Sequence, residues 1–490
     1  MPDAILPGAV PPALIASLGS ALGPSGILTD PADTDRYATD WRGLYHGRTA
    51  AVLRPATTAD VAQCVRLCAA ARVPLVPQGG NTSMVGGAVP AEDGSQLVIS
   101  LSRLNRVRTL DPLDLTLTVE AGVTLKAAQD EAAEADCLLP LSIGSEGTAE
   151  IGGVLATNAG GNNTLRYGNA RERVLGLEVV LADGSVWDGL RRLRKDNTGY
   201  CLRQLFVGSE GTLGIITAAV LRLEPAPAER IAAFAALASP EAALALLGRL
   251  QRHDAAALVA FEYMSAAGLG LVLAHIQGTR LPLSAPAPHY VLIELASPRA
   301  DTGLAAGLET VLAAAIEEGE VTDAAISASE AQRLAFWKLR EEHSEAQRLA
   351  GASVKNDVSV PVPSIPAFLA RAAEAGAAVM PGVRVVPFGH LGDGNIHFNF
   401  VQPEGMAPSA FLARAEALME AVNAVVRDLG GSFSAEHGIG RLKPPILAHW
   451  RAGPELDLMR RIKTALDPNG LLNPGKVLPP EAGTARLSGR

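Results

Sequence analysis

Residues 77–87 read PQGGNTSMVGG, residues 152–161 read GGVLATNAGG, and residues 208–217 read GSEGTLGIIT. All three stretches are rich in glycine and poor in charge. Glycine adopts positive φ and lets the backbone approach a ligand closely, so such loops can turn successive N–H groups toward phosphate oxygens. Tight turns alone would explain any one of these loops. Three of them within about 140 residues favour a large bound cofactor.

Two common nucleotide-binding signatures are absent from the sequence. It contains neither G-x-G-x-x-G nor G-x-x-x-x-G-K-[ST]. The dinucleotide (Rossmann) and P-loop fingerprints are therefore excluded.

The residues around the first and last loops show strong local patterns. AVLRP (51–55) predicts a strand, TTADVAQCVRLCAAARV (57–73) an amphipathic helix capped by Thr57 or Thr58, and PLVPQGG (74–80) a strand entering the first loop. VLGLEVVLADGSVW (174–187) predicts a hairpin with Asp183-Gly184 at its turn.

Composition limits the class of protein. With 490 residues, 48% of them hydrophobic, the chain can bury a large core and is not a disordered protein. The balance of 42 Lys and Arg against 51 Asp and Glu gives a net charge of −9, which argues against nucleic acid as the main partner. A small anionic substrate remains compatible with it.

The cysteines and the N-terminal residues indicate where in the cell the protein is expected. The four cysteines form no C-x-x-C pair, so neither a zinc ribbon nor an iron–sulfur cluster is expected. No Lys or Arg precedes Arg36 and no run of 18 apolar residues occurs, so we expect a cytoplasmic protein without a signal peptide or transmembrane helix. A homodimer is one oligomeric state compatible with the sequence.

The pattern changes along the chain and suggests four parts. Residues 10–40 predict a short helix and a polar linker, and the composition becomes Ala-rich and helical after Pro225. We expect an N-terminal helical segment (1–45), a cofactor-binding domain (46–225), a substrate or cap domain (226–430) and a C-terminal segment (431–490). Residues 478–490 read as a loose tail.

Two histidine motifs follow in the last third of the chain. His390 and His397 lie seven residues apart in GHLGDGNIH, where LGDGN can turn the chain and bring the imidazoles together. Glu436 and His437 are adjacent in SAEHGIG. Two histidines and a carboxylate match the ligands of a zinc-like divalent centre, with the remaining histidine as a base. The alternative is a set of structural histidines.

A third group of residues combines positive charge with a hydroxyl. Arg340 and Ser344 are four residues apart on a predicted helix, and Lys355 is placed at the start of the next strand. Arg offers a carboxylate a bidentate fork and Lys a point charge. A solvated helix with Glu341, Glu342 and Glu345 as ion partners is the alternative.

Taken together, these motifs and LDPNGLLNPGK (466–476) resemble the FAD-linked D-2-hydroxyacid dehydrogenases of the vanillyl-alcohol oxidase / p-cresol methylhydroxylase (PCMH) superfamily, over about residues 45–478. The resemblance is greatest to the D-2-hydroxyglutarate and D-lactate dehydrogenase branch. It implies an α+β fold: a PCMH-type FAD-binding domain of two subdomains, an α+β cap domain over the isoalloxazine, and a C-terminal segment returning to the flavin.

The resemblance also implies which residues hold the cofactor. Some relatives attach the flavin to a histidine where this chain has Asn81, so non-covalent FAD is expected. The implied FAD residues are Pro77, Gly79, Gly80, Asn81, Thr82, Gly86, Gly87, Gly152, Gly153, Asn158, Gly161, Tyr167, Gly168, Glu210, Ile216 and Asn473.

The resemblance further implies the chemistry of the site. The metal, with zinc favoured, falls on His390, His397 and Glu436, and His437 becomes the base that takes the hydroxyl proton while hydride passes to flavin N5. The implied substrate residues are Arg340, Ser344, Lys355, Asn399 and His437. Two cations suit a dicarboxylate, so D-2-hydroxyglutarate is favoured, with D-malate or D-lactate as further options. Electrons would leave through an electron-transfer flavoprotein or a quinone.

Three other functions are compatible with parts of the pattern. A zinc hydrolase would use the same histidines but leaves the glycine loops unexplained. A non-catalytic flavin-binding subunit would not need His390, His397, Glu436 and His437 together. A glycolate-oxidase-type flavin subunit would bind a substrate that lacks the second carboxylate.

Overall fold

The computed structural model describes residues 10–480, so most of the tail expected at 478–490 lies outside the described residues. The strands are β1 (Ile27–Leu28), β2 (Thr49–Leu53), β3 (Leu75–Gln78), β4 (Gln96–Ser100), β5 (Val107–Asp111), β6 (Thr116–Glu120), β7 (Cys137–Leu138), β8 (Val174–Val180), β9 (Val186–Gly189), β10 (Ile215–Arg222), β11 (Glu224–Pro225), β12 (Glu229–Leu237), β13 (Leu258–Ser265), β14 (His289–Ser297), β15 (Val321–Ile326), β16 (Ser353–Val354), β17 (Asp357–Ser359), β18 (Arg384–Val385), β19 (Phe388–His390), β20 (Asn395–His397) and β21 (Phe400–Val401).

The helices are interspersed among these strands. They are α1 (Pro12–Leu22), α2 (Pro31–Ala38), α3 (Thr58–Ala71), α4 (Leu125–Glu134), α5 (Ile151–Ala156), α6 (Thr164–Tyr167), α7 (Ala170–Arg173), α8 (Arg203–Phe206), α9 (Pro240–Asp254), α10 (Ala266–His275), α11 (Leu304–Glu317), α12 (Glu330–Glu341), α13 (His343–Leu349), α14 (Ile365–Val379), α15 (Pro408–Leu412), α16 (Ala415–Asp428), α17 (Pro444–Trp450) and α18 (Pro454–Leu466). This mixture confirms the α+β class.

The chain folds into two compact units. Unit 1 contains residues up to Gly160, then Asn169–Pro225 and the part from His437 onward. Unit 2 contains Gly161–Gly168 and Ala226–Glu436. The division at Pro225 falls where the composition changes.

Unit 1 contains two main sheets, each with its own core. In the first, β2, β4 and β3 run parallel, β1 pairs antiparallel with β2, and α1 and α3 cover the sheet. The second is antiparallel, in the order β5-β6-β10-β8-β9. It includes the predicted hairpin, whose turn has Gly184 at φ 79°.

The start of α3 follows from its sequence. Thr57 Oγ1 accepts the Asp60 N–H at 3.1 Å and the Asp60 carboxylate accepts the Thr57 N–H at 3.0 Å, so the predicted cap is a reciprocal capping box. Residues 23–40 are more ordered than the expected linker: β1 pairs with β2, and Asp30 caps α2. The expectation of a polar linker there was wrong because Pro31 after Asp30 is itself a helix start signal.

Unit 2 is built on a seven-stranded sheet in the order β15-β12-β14-β13-β19-β20-β17. Its first strands are nearly all apolar and buried, and α9, α11 and α12 pack on them. A smaller sheet has the order β16-β21-β18. Among the helices of residues 10–480, none has both the length and the apolar character needed to span a membrane.

Candidate flavin and metal sites

The predicted cofactor loops of unit 1 have unusual backbone conformations. Within residues 10–480, nine non-glycine residues have positive φ, and four of them are Asn81, Asn158, Glu210 and Asn473. Such conformations cost free energy and persist where the surroundings enforce them, often at ligand sites. All four were predicted as FAD residues, so nearly half of these positions lie in the predicted cradle.

The first two loops are packed too closely against neighbouring backbone for larger side chains at some of their glycines. A methyl group on Gly80 would lie 1.9 Å from the Thr148 carbonyl oxygen, and one on Gly152 would lie 2.8 Å from Ala121 Cβ. A methyl group on Gly153, by contrast, would meet nothing within 4 Å. The backbone there is therefore packed on one side and open on the other, as a cradle for a flat or extended cofactor requires.

Glu210 and Asn473 tie the predicted loops together. The two carboxylate oxygens of Glu210 accept the N–H groups of Ile439 and Gly440 at 2.7 and 2.8 Å. Asn473 Nδ2 donates to the carbonyls of Glu210 and Gly87 at 2.7 and 3.0 Å. The Glu210 carboxylate therefore holds the segment after His437, and the place of Glu210 in the lining of the flavin stays a prediction.

Burial and hydrogen bonding also define the state of these two side chains. Burial raises the pKa of Glu210, and the two N–H donors oppose that rise. Asn473 Oδ1 is buried and has no hydrogen-bond partner in residues 10–480, so it remains available to a cofactor. Asn81 Nδ2 donates to the Thr39 carbonyl at 2.8 Å, which fixes the first loop.

The other expected FAD residues divide between the two units. Three of them, Gly161, Tyr167 and Gly168, lie in the short stretch that belongs to unit 2. The remaining ones in unit 1 are Pro77, Gly79, Thr82, Gly86, Gly87 and Ile216.

In unit 2, His390 faces a buried acid on the neighbouring strand. Glu262 on β13 is directly opposite His390 on β19, and directly opposed residues share a face of the sheet. Glu262 is 1% exposed, and its Oε1 lies 2.8 Å from His390 Nδ1. This contact places the proton of a neutral His390 on Nδ1 and directs Nε2 away from Glu262.

His397 has the same relation to a second acid. Asp357 on β17 is directly opposite His397 on β20, with 3.7 Å between its Oδ1 and His397 Nδ1. Asp357 also accepts Asn395 Nδ2 at 3.0 Å and the Glu436 N–H at 2.9 Å. The LGDGN turn joins β19 to β20 and brings the two imidazole centroids within 5.7 Å, as the motif predicted.

Both histidines direct Nε2 at Glu436. His390 Nε2 is 3.7 Å from Oε1 and His397 Nε2 is 3.7 Å from Oε2. These distances are too long for hydrogen bonds but close to the spacing of about 3.4 Å between ligand atoms around a tetrahedral zinc. Gly161 N–H holds Oε1 at 2.8 Å. Both histidines therefore approach Glu436 at a spacing compatible with shared metal ligation, and the assignment of the three ligands stays a prediction.

The charge of this cluster also favours a cation. Burial alone would raise the pKa of Glu262, but His390 and Arg340 outweigh it and lower that pKa to about 2. Burial alone would lower the pKa of His390, whereas Glu262 and Glu436 raise it to about 9. Carboxylates that favour a proton on His390 would equally favour a metal ion beside it.

Arg340 belongs to the same cluster. Its Nε donates to Glu262 Oε2 at 2.7 Å, its guanidinium lies 4.9 Å from the Phe388 ring centre, and it is 5% exposed. The alternative of a solvated helix is therefore wrong for Arg340. Its Nη2 is buried and has no hydrogen-bond partner in the described chain, so it can donate a hydrogen bond to a substrate carboxylate.

The other predicted substrate residues are placed less closely together. Ser344 is exposed, and it does not share a helix with Arg340, because α12 ends at Glu341 and α13 begins at His343. Lys355 is half-buried and follows β16, so it does not begin a strand as expected. Asn399 is 2% exposed.

The side-chain amide of Asn399 is held by two hydrogen bonds within the protein. Its Nδ2 donates to Gln347 Oε1 and its Oδ1 accepts the Asn356 N–H, both at 3.0 Å. His437 is half-buried, follows Glu436 directly in the chain and is the first residue of the last stretch of unit 1.

Two residues that hold the predicted ligands were not anticipated. Glu262 interrupts the apolar strand AALVAFEYM, and an acid inside a buried apolar run was the available signal for it. Asp357 lies in KNDVSV, where nothing in the local pattern distinguished it.

Comparisons with known proteins give matches over most of the chain. The sequence model of the FAD binding domain matches residues 49–189, and that of the C-terminal domain of FAD linked oxidases matches residues 226–477. A D-2-hydroxyglutarate dehydrogenase of Xanthomonas citri pv. viticola is 39% identical over 94% of this chain and 96% of its own length. The mitochondrial D-2-hydroxyglutarate dehydrogenase of Bos taurus is 39% identical over 94% of this chain and 82% of its own length.

Solved structures share the fold at low identity. A p-cresol methylhydroxylase with bound substrate gives a TM-score of 0.73 at 17% identity, covering 96% of this chain and 98% of its own. An alkyldihydroxyacetonephosphate synthase gives 0.72 at 15% identity, covering 96% and 86%. The PCMH-type fold expected from the motifs is confirmed.

Proposed function

The chain belongs to the FAD-linked oxidases, as a D-2-hydroxyacid dehydrogenase that binds FAD, and from this premise we propose that D-2-hydroxyglutarate is its preferred substrate and that a divalent metal takes part. Zinc is the first candidate for that metal. The zinc-hydrolase alternative is set aside because the family binds FAD.

One observation carries the metal proposal. Two imidazole Nε2 atoms lie at 3.7 Å from opposite oxygens of Glu436, and each Nδ1 faces a buried acid. Metal-binding histidines are commonly oriented in this way, with a carboxylate behind each ring. His390, His397 and Glu436 would hold the ion, and Glu262 and Asp357 would orient the rings.

The cations of unit 2 support a dicarboxylate substrate. Arg340 offers a buried Nη2, and Glu262 fixes the guanidinium by its Nε. Lys355 is half-buried in the same unit and would take the second carboxylate as a point charge. A substrate with one carboxylate would use only one of these two cations.

The chain's own residues would then orient the substrate and move its proton. Arg340 binds the substrate carboxylate, and His437, next to Glu436 in the chain, accepts the hydroxyl proton. When bound, the metal supplies a Lewis acid that lowers the pKa of that hydroxyl. FAD supplies the acceptor for the hydride that leaves the α-carbon.

Electron release, assembly and location remain proposals. The four cysteines are unpaired, three buried and one exposed, and offer no cluster for electron storage. We propose an electron-transfer flavoprotein or a quinone as acceptor, and a homodimer as the assembly. The bovine relative is described as mitochondrial, so the cytoplasmic location stays a prediction.

The substrate proposal is tested with a dye acceptor and two substrates of similar length. We expect kcat/KM for D-2-hydroxyglutarate to exceed that for D-2-hydroxybutyrate, which lacks the second carboxylate, and Lys355→Met to reduce this ratio toward one. Lys338→Met is the matched control, because Lys338 binds only the Gln277 carbonyl in the described contacts. A higher value for D-lactate or glycolate would favour a D-lactate dehydrogenase or a glycolate-oxidase-type subunit instead.

The metal proposal has its own test. His390→Ala should lose bound metal in elemental analysis, whereas His275→Ala, at the exposed end of α10, should retain it. Full metal content in His390→Ala would refute the ligand assignment.

A further inference from the structure

Glu150 is a buried acid in the cofactor loops with an unused oxygen. It lies immediately before α5 in unit 1 and is 8% exposed. Its Oε2 is buried and has no hydrogen-bond partner among residues 10–480. A buried polar atom without a partner costs free energy, so a ligand that pairs with it would be stabilised.

The surroundings of Glu150 place this oxygen at the junction of two loops. A methyl group built on Gly79 would lie 3.4 Å from Glu150 Cβ, 3.5 Å from its Oε2 and 3.6 Å from the Gly153 N atom. Gly153 in turn borders open space. The carboxyl group is therefore beside the part of the cradle that is not filled by protein.

No cation among the described residues compensates a charge on Glu150. The segments around it, residues 79–80, 121–124 and 148–153, contain no other titratable side chain. Burial raises the pKa of Glu150 to about 8 without a contribution from any charged group. The side chain is thus mostly neutral at pH 7, and a neutral carboxyl carries one O–H donor.

We propose that Glu150 binds FAD as a neutral carboxylic acid and donates a hydrogen bond to an acceptor atom of the cofactor. The proposal rests on the FAD binding of this family and is independent of the substrate and the metal. FAD is an anion through its pyrophosphate, so a carboxylate at this position would be disfavoured both by burial and by repulsion. The acid form has neither penalty.

The proposal predicts that FAD binding weakens when Glu150 loses its proton. Full-length holoenzyme is diluted serially at pH 7 and pH 9, and released FAD is followed by its fluorescence to give Kd. Wild-type Kd should be about tenfold higher at pH 9 than at pH 7, because a group with pKa near 8 changes from mostly neutral to mostly charged. Glu150→Gln keeps a neutral donor, so its Kd should change far less.

Two further variants complete the comparison. Glu150→Ala should bind FAD more weakly at both pH values, and Glu146→Gln, in the same segment, should follow the wild type. Lys476 is also buried in unit 1 and has a pKa of about 8, but it is present in every variant and so cancels in the comparison.

The result that overturns the proposal is an equal pH dependence in wild type and Glu150→Gln, or no pH dependence in the wild type. Failure of the wild type and of Glu146→Gln to retain FAD at pH 7 would contradict the flavin function itself, and is distinguishable because it does not depend on Glu150.

Discussion

Replacing Glu262 with glutamine would remove the charge that joins the metal ligands to the substrate arginine. Glu262 accepts Arg340 Nε at 2.7 Å and His390 Nδ1 at 2.8 Å, and it is 1% exposed. A glutamine fits the same space, but its single carbonyl oxygen can accept from only one of the two donors. Its amide would face the other donor, and the Arg340 charge would be left buried without its partner.

The expected losses follow from this geometry. Breaking one side of a buried ion pair typically costs about 3–5 kcal/mol of unfolding free energy. Losing the carboxylate behind a metal-binding imidazole typically weakens metal affinity about 10–100-fold. We therefore expect Glu262→Gln to lose both stability and metal affinity.

Glu294→Gln separates these two effects. Glu294 lies on β14 of the same sheet, is 4% exposed, and accepts Arg333 Nη1 at 2.7 Å and Trp337 Nε1. Glu294→Gln therefore also replaces a buried carboxylate that accepts from two donors, but Glu294 contacts no predicted metal ligand. Urea unfolding measures stability, and competition with a chelator of known affinity measures metal binding.

The expected pattern is a loss of stability in both variants, smaller in Glu294→Gln because Arg333 keeps Glu330 as an ion partner, and weaker metal binding in Glu262→Gln alone. Wild-type metal affinity in Glu262→Gln, or an equal loss of affinity in Glu294→Gln, would refute the reasoning.

Three further predictions concern single residues of unit 1. His437→Ala should keep FAD and metal but lose turnover, and a kcat near that of the wild type would exclude His437 as the base. Gly80→Ala should lower the flavin-to-protein absorbance ratio, because its methyl group would lie 1.9 Å from the Thr148 carbonyl oxygen, whereas Gly144→Ala, with nothing within 4 Å, should not; equal ratios would contradict the cradle. Burial lowers the pKa of Lys476 to about 8, below the value of about 10.4 in an unfolded chain. At a pH between these two pKa values the unfolded state binds more protons than the folded state. The stability of FAD-free protein, measured by urea unfolding, should therefore rise from pH 8 to pH 10, and Lys476→Met should reduce that rise. Parallel stability curves for the wild type and Lys476→Met would count against a buried cation.

Local patterns predicted much of the fold correctly. The cap at Thr57, the hairpin at Gly184 and the turn between His390 and His397 depend on residues close together in the chain, and all three are present. The helix start at Asp30 and Pro31 is also a local signal, although the polar composition there predicted a linker.

Long-range pairing was the part that sequence alone could not supply. Glu262 is 128 residues from His390, and only the pairing of β13 with β19 sets them opposite one another. The pairing of β17 with β20 does the same for Asp357 and His397. A shift of one residue in either register would turn these side chains to opposite faces, and no local pattern specifies that register.

Tertiary packing also gives some predicted residues contacts that the sequence pattern does not show. The sequence pattern did not show that the Glu210 carboxylate accepts two backbone N–H groups of the C-terminal segment. The helix pattern alone was compatible with Arg340 as a surface residue, but the structure buries Arg340 in an ion pair with Glu262.

The most direct measurement is the visible absorbance of purified protein during anaerobic addition of D-2-hydroxyglutarate, before and after removal of divalent metal with a chelator. The proposed function predicts that the flavin band bleaches in metal-loaded protein, that bleaching is lost or strongly slowed after chelation, and that it returns when zinc is added. A band that persists in metal-loaded protein would contradict D-2-hydroxyglutarate as the substrate. Bleaching at the same rate without metal would contradict the role assigned to His390, His397 and Glu436.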